Sequence, residues 1–201
     1  MKLSPTNDRV IVKIKKEDST DSGIFIGSQE TFNQGTTLAE VLEVGQPSKD
    51  NTHGIEPKKG EIVHIEKYSG DLIDDHDDHE IRVVNYKEVV AVQDGHQKKP
   101  LLYMTHIKTF ISNSRLSGLI IYNKDPLPVV GRIISVSPTV AKKFPHLKPG
   151  TGVVFDYRKN TVILDGNDDE SFLHQDYIKA IFHVESDKEA AQMFEVTNRA
   201  Y

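Results

Sequence analysis

The sequence predicts an all-β protein built as two tandem β-barrels or sandwiches, with one short helix at the C-terminal end. Three observations carry that expectation. Short runs rich in Val and Ile recur along the 201 residues, bounded by clusters of Gly, Pro, Asp and Asn. No helical periodicity lies between them, which favours small barrels or sandwiches over a parallel sheet. Four sequence blocks also recur in the same order about 90 to 95 residues further on, and ordered recurrence of that kind marks a repeated domain.

Taken in order, strands are expected over residues 9–14, 38–44, 61–66, 81–85 and 88–92, then over 101–104, 129–136, 152–157, 161–164 and 177–184. The repeat pairs SGIFI (22–26) with SGLII (117–121), and AEVLEVG (39–45) with GRIISVS (131–137). It pairs PKKGEIVHI (57–65) with LKPGTGVVF (147–155), and KEVVAV (87–92) with YIKAIF (177–182). The domains are therefore placed at 1–94 and 101–201, joined by a polar, proline-ended linker at 95–100. A helix is expected over about 187–198. Ser186 and Glu189 form a capping-box pattern there, and Ala190, Met193 and Phe194 share one face that packs on its own domain.

Composition excludes several function classes. The net charge of −5 divides unevenly: residues 1–100 hold 13 Lys and Arg against 19 Asp and Glu, and residues 101–201 hold 12 against 11. Neither half carries a basic footprint, so nucleic acid is not an expected partner. No apolar run approaches the roughly 20 residues that span a bilayer, and no apolar signal region opens the chain, so no membrane is expected and the location is read as cytoplasmic. With no cysteine there is no thiolate nucleophile and no cysteine-ligated metal. P-loop, GxGxxG and nucleophile-elbow patterns are absent, so the chain reads as no enzyme, with no cofactor. DDHDDHE (74–80), with His76 and His79, has the residue types of a metal site but reads as a solvated acidic turn. NDDES (167–171) reads as another turn, and His64 as a packing residue in a strand.

One stretch resists a purely structural reading. In TDSGIFIGSQE (20–30), Ile24, Phe25 and Ile26 stand between Gly23 and Gly27 in polar surroundings. Alone, such a triplet reads as a short buried strand. Its context differs: LSPTNDRVIVK (3–13) lies eight residues upstream, with Leu3, Pro5, Asp8, Arg9, Val10, Ile11, Val12 and Lys13 in a spaced pattern. That pattern, followed by the strands AEVLEVG, KKGEIVHI and KEVVAV, resembles the GroES-type co-chaperonins over about residues 1–94. The second half resembles them less: it keeps Leu119, Ile120 and Ile121 but has no Asp-Arg pair in KPLLYMTHIKT, and it reads as a diverged second copy.

The resemblance implies two partly open β-barrels of GroES type and a mobile loop over about 16–37 that orders on a partner. Gly23, Ile24, Phe25, Ile26 and Gly27 would enter a groove between two helices of a nucleotide-bound, GroEL-type chaperonin ring. Leu119, Ile120 and Ile121, in a loop over about 108–128, either do the same or fold inward on Phe110 and Ile111. Burying three such side chains contributes roughly 5–8 kcal/mol gross. Ordering about ten loop residues costs on the order of 10 kcal/mol or more, so useful affinity needs several loops engaging one ring together. The resemblance further implies a homo-oligomeric ring, heptameric in single-domain members and closed by first-to-last strand pairing, that encloses an unfolded client protein. A double-length chain does not tile seven places evenly. Either seven chains carry their second domains as an extra tier, or the chain count changes. Two other readings stay open: a tandem β-barrel structural or interaction protein, for example viral, that binds no chaperonin, and, against the missing cysteines and dinucleotide domain, an enzyme of the GroES-like dehydrogenase class.

Overall fold

The computed structural model describes residues 4–16, 36–46, 48, 57–110, 128–156, 160–162 and 170–189. The chain divides into two compact units, Met1–Leu102 and Tyr103–Tyr201. Both are antiparallel β structures, each around its own apolar core.

In unit 1, β1 (Arg9–Lys15), β2 (Thr36–Val44), β3 (Ile62–Glu66), β4 (Asp71–Asp75), β5 (His79–Asn85), β6 (Val89–Asp94) and β7 (Gln97–Pro100) form one sheet. Its order is β4-β5-β1-β2-β3-β6-β7. Alternation along β1 sends Val10, Val12 and Ile14 inward. There they meet Ala39, Val41, Val63, Ile65, Val84, Tyr86, Val89 and Leu101. The ladder slips between Ile11 and Val12 against β2, and between His64 and Ile65 against β6. Such bulges bend a strand and sharpen its twist, which is how a sheet curls into a partly open barrel.

In unit 2, β8 (Met104–Phe110), β9 (Pro128–Val136), β10 (Gly152–Asp156), β11 (Asn160–Val162), β12 (Glu170–His174) and β13 (Ile178–Phe182) take the order β11-β12-β8-β9-β10-β13. This is the first sheet's order with every strand replaced by its counterpart and β7 left over. The irregularities recur too, between His106 and Ile107 against β9 and between Val154 and Phe155 against β13. Turn bonds match as well. Gly60 donates to the Val41 carbonyl and Gly150 to that of Ile133, each at 2.8 Å. Both glycines hold positive φ (82° and 88°), where a side chain would be strained.

Several expected elements differ. Residues 95–100, expected as a linker, contain β7, an arm paired with β6. Of residues 101–104 only Met104, which opens β8, is strand: Leu101 is buried in the unit 1 core and Leu102 turns through φ 52°, so their apolar character serves a plug rather than a pleat. The NDDES turn gives way to β12 from Glu170 onward. The last block pairs one residue out of step, because Val63 faces Val92 while Val153 faces Ile181. A helix absent from the expectation, α1 (Pro138–Lys143), follows β9; Ser137 caps it by accepting from the Val140 N–H at 3.1 Å, with proline in its first turn. At the C-terminus the Ser186 hydroxyl accepts from the Glu189 N–H, and residues 187–189 are helical. The rest of that expected helix lies outside the described residues. Among the described residues no helix is long and apolar enough to cross a membrane.

Candidate functional site

Gly23, Ile24, Phe25, Ile26, Gly27, Leu119, Ile120 and Ile121 lie outside the described residues. The structure gives the stems that carry them. β1 ends at Lys15 and β2 begins at Thr36, with Lys13 opposite Glu40. Thr36 is buried opposite Glu66, and the Lys16 N–H donates to the Asp78 carbonyl at 3.0 Å. In unit 2, Phe110 at the end of β8 faces Val130 on β9, and the buried Thr109 hydroxyl lies 3.3 Å from that of Ser171. The two triplets therefore occupy equivalent connections, β1–β2 and β8–β9. Residues 36–37 and 108–110, expected in loops, are strand.

Beside the first stem stands the acidic hairpin. It is not a turn throughout: Asp74 and Asp75 belong to β4, His79 and Glu80 to β5. The Lys16 ammonium lies 2.6 Å from Asp75. That hydrogen bond holds the Asp75 carboxyl below its ordinary range and the lysine above its own. His76 lies 3.2 Å from Asp74 and His79 2.7 Å from Asp78, the two rings stacking at 4.4 Å. Each imidazole thus has its own carboxylate. Among the described residues no group of three or more His, Asp or Glu is placed to hold a metal ion. The hairpin's visible work is to tie the end of β1 with charge. His64 is buried, its Nε2 2.8 Å from Gln93 Oε1.

The Asp-Arg signature has a structural role that its sequence did not reveal. Asn7 and Asp8 take positive φ (34° and 36°) and swing the chain into β1. Asp8 Oδ1 accepts from the Ser48 N–H at 2.8 Å, and its carbonyl accepts from the Tyr86 N–H at 2.9 Å. The Arg9 carbonyl accepts from the Gly45 N–H, and the Tyr86 hydroxyl donates to the Gly45 carbonyl at 2.7 Å. A Cβ on Gly45 would sit 2.9 Å from the Arg9 oxygen, so glycine is required for this approach. In unit 2 the equivalent turn runs through Leu102 and Tyr103. The Tyr103 carbonyl accepts from the Gln175 N–H at 3.0 Å, the Lys143 ammonium stands 4.6 Å over its ring, and Ser137 replaces the glycine. The closure is the same and its chemistry different. No shared residue type signals this turn, since Asn7 and Asp8 stand where unit 2 has Leu102 and Tyr103.

The sequence profile of the Chaperonin 10 Kd subunit family matches residues 2–93, within unit 1. The Co-chaperonin GroES of Fusobacterium nucleatum subsp. nucleatum is 36% identical over 93 residues, covering 46% of this chain and 98% of that protein. The Co-chaperonin GroES of Chlamydia felis is 36% identical over 95 residues, 46% of this chain and 91% of its own. That of Caldicellulosiruptor saccharolyticus is 34% identical over 95 residues, 46% and 97% respectively.

Proposed function

Since the chain belongs to the Chaperonin 10 Kd subunit family, whose GroES members support a co-chaperonin role, we propose that it caps an ATP-driven, GroEL-type chaperonin ring through its apolar loop triplets. The cap does no chemistry itself; the ring hydrolyses nucleotide while an unfolded client is enclosed. Ile24, Phe25 and Ile26 enter the chaperonin groove, and Gly23 and Gly27 let the backbone turn in and out. Leu119, Ile120 and Ile121 are a second hook. The caps assemble as a homo-oligomeric ring in the cytoplasm, which raises the effective concentration of loops that are weak singly.

The observation that supports this best is the pair of stems. Both triplets are carried by the first-to-second strand connection of a barrel, and both stems end in strands anchored by buried threonines, Thr36 and Thr109. A rigid stem confines where an ordering loop lands, which lowers the entropy lost on docking.

The test mixes the protein with a GroEL-type ring and nucleotide and reads complex formation by native mass spectrometry. Phe25→Asp is expected to abolish the complex with an unchanged circular dichroism spectrum, and Ile120→Asp to weaken it. A Phe25→Asp protein that binds normally refutes the hook. One that loses its β signal returns the triplet to a buried strand.

A further inference from the structure

Val130 on β9 and Phe172 on β12 face away from the unit 2 core. Alternation along the strands requires it, because Leu173 lies in that core and a Cβ on Gly131 would meet Phe155 and Ile107. Yet Val130 is 1% exposed and Phe172 is fully buried. A second layer therefore covers the outer face of this sheet. The chain after β13 begins that layer. The Phe182 ring leans over β10, where a Cβ on Gly152 would sit 2.5 Å from its Cε2 atom, and Val184 is buried. Asp187 then reaches the Arg132 guanidinium on β9 and the Lys108 ammonium on β8, two residues that face each other across the ladder. Between Phe182 and Asp187 the chain thus crosses from the sheet edge, over β10, to β9 and β8.

We propose that residues 187–198, which beyond 189 lie outside the described residues, continue this path as a helical strap over β8 and β12, with Phe194 seated on Phe172. The strap fastens the stem of the second loop. This goes beyond the cap reading and does not rest on it.

Asp187 fixes which way the helix faces. The Ser186 hydroxyl accepts from the Glu189 N–H, residues 187–189 are helical, and Lys188 and Glu189 are exposed while Asp187 is held to the sheet. Residues i, i+3 and i+7 share a helix face. A helix pinned at Asp187 therefore turns Ala190 and Phe194 to the sheet with Met193 beside them, and turns Gln192 and Glu195 to solvent. Distance agrees with direction. The strand beyond β8 is β12, about 5 Å further on, and seven helical residues advance about 10 Å. From Asp187, between β9 and β8, that brings Phe194 above β12. There the Phe172 ring stands 5.2 Å from that of His106, whose Nε2 lies 2.9 Å from Glu170. Lys108 lies two residues before Phe110, the end of β8, so one carboxylate holds both arms of the second stem. In unit 1 the corresponding Lys13 and Glu40 face each other, and the chain leaving β6 turns into β7. The two loops are thus anchored differently, the first by the acidic hairpin and the second by the strap.

The chain has no tryptophan, so one introduced indole reports alone. Phe194→Trp and Gln192→Trp proteins are compared by emission and acrylamide quenching, without chaperonin. Phe194→Trp is expected to emit at shorter wavelength and to be quenched several-fold less than Gln192→Trp, at every protein concentration. Adding Asp187→Ala or Phe172→Ala to Phe194→Trp is expected to raise its quenching to the Gln192→Trp level, with the β signal in circular dichroism kept. Asp187→Ala is also expected to speed hydrogen exchange of the Thr109 and Phe110 amides several-fold, which reads the stem itself. Equal quenching of the two indoles would overturn the proposal, as would protection of Phe194→Trp that Asp187→Ala does not move. Protection that fades on dilution would seat the helix on a second copy and overturn it too. Unchanged exchange at Thr109 and Phe110 would refute the fastening of the stem.

Discussion

Gly131→Ala tests whether the two barrels solve one packing problem with exchanged volumes. A Cβ at Gly131 would sit 2.9 Å from the Lys108 carbonyl oxygen and 3.0 Å from Phe155 Cε1. Neither neighbour has an easy escape. The oxygen belongs to a strand hydrogen-bonded on both sides, and the Phe155 ring is fully buried. Overpacking of this kind costs about 1–3 kcal/mol. In unit 1 the corresponding positions hold Ala39 and Ile65, both buried and diagonal across the β2–β3 ladder, where Ala39 faces Val63 and Ile65 faces Thr37; β2 thus has the larger residue of the two units and β3 the smaller. Phe155→Ile alone is expected to cost about 1–2 kcal/mol through the space it leaves. Gly131→Ala with Phe155→Ile, which installs the unit 1 pair in unit 2, is expected to cost less than the two single effects together by about 1 kcal/mol, a coupling normal for residues in contact. The assay is urea-dependent hydrogen exchange at the β8 and β9 amides, which reads unit 2 by itself. Effects that add to within about 0.5 kcal/mol would refute the exchange.

Two further outcomes are expected. Asp187 lies 3.0 Å from the Arg132 guanidinium and 3.1 Å from the Lys108 ammonium, and those hydrogen bonds hold its carboxyl below the ordinary range. A depressed carboxyl contributes stability that is full above its unfolded value and is lost as pH falls through the lower folded value; the effect is screened because the side chain is 43% exposed. Asp187→Asn should therefore lower unit 2 stability modestly at neutral pH and leave it little changed in acid, which flattens the acid side of the profile; an unchanged acid limb would show that the cluster is not coupled to folding. Tyr86→Phe removes the buried bond to the Gly45 carbonyl and should cost about 1–3 kcal/mol in unit 1, read by urea unfolding, with a wild-type midpoint as the contrary result.

Much of the fold was legible because burial wrote itself as short β-branched runs. RVIVKI on β1 and IVHIE on β3 read as strands since three consecutive residues of each are buried between polar ends. β4, exposed along its whole length, had no such pattern and looked like a turn. β7, QKKP, was illegible for a different reason: an edge arm is held by main-chain bonds, which side-chain types barely signal. α1 is too short for periodicity, and only its Ser-Pro start hinted at it. At the candidate site, sequence named the triplets and the structure supplied the stems, whose anchors Thr36 and Thr109 are polar residues that no apolar pattern marks.

The divergence of the second unit bears on its loop less than it first suggests. The absent Asp-Arg pair is one departure of unit 2 from the family pattern, beside the segment SPTVAKKFPHLKPG (137–150) that holds α1. In unit 1 Asp8 and the Arg9 main chain close the barrel, through Ser48, Tyr86 and Gly45. Tyr103 with Lys143 and Gln175 does the corresponding work in unit 2, so the two barrels shut in the same place with different chemistry. The order of strands, both ladder slips and the β8–β9 stem persist. The question of a second hook therefore rests on Leu119, Ile120 and Ile121 themselves, and Ile120→Asp in a chain that keeps Phe25 isolates it. Weakened binding by that variant with its fold intact assigns a grip to the second triplet; binding identical to that of the unaltered chain removes it.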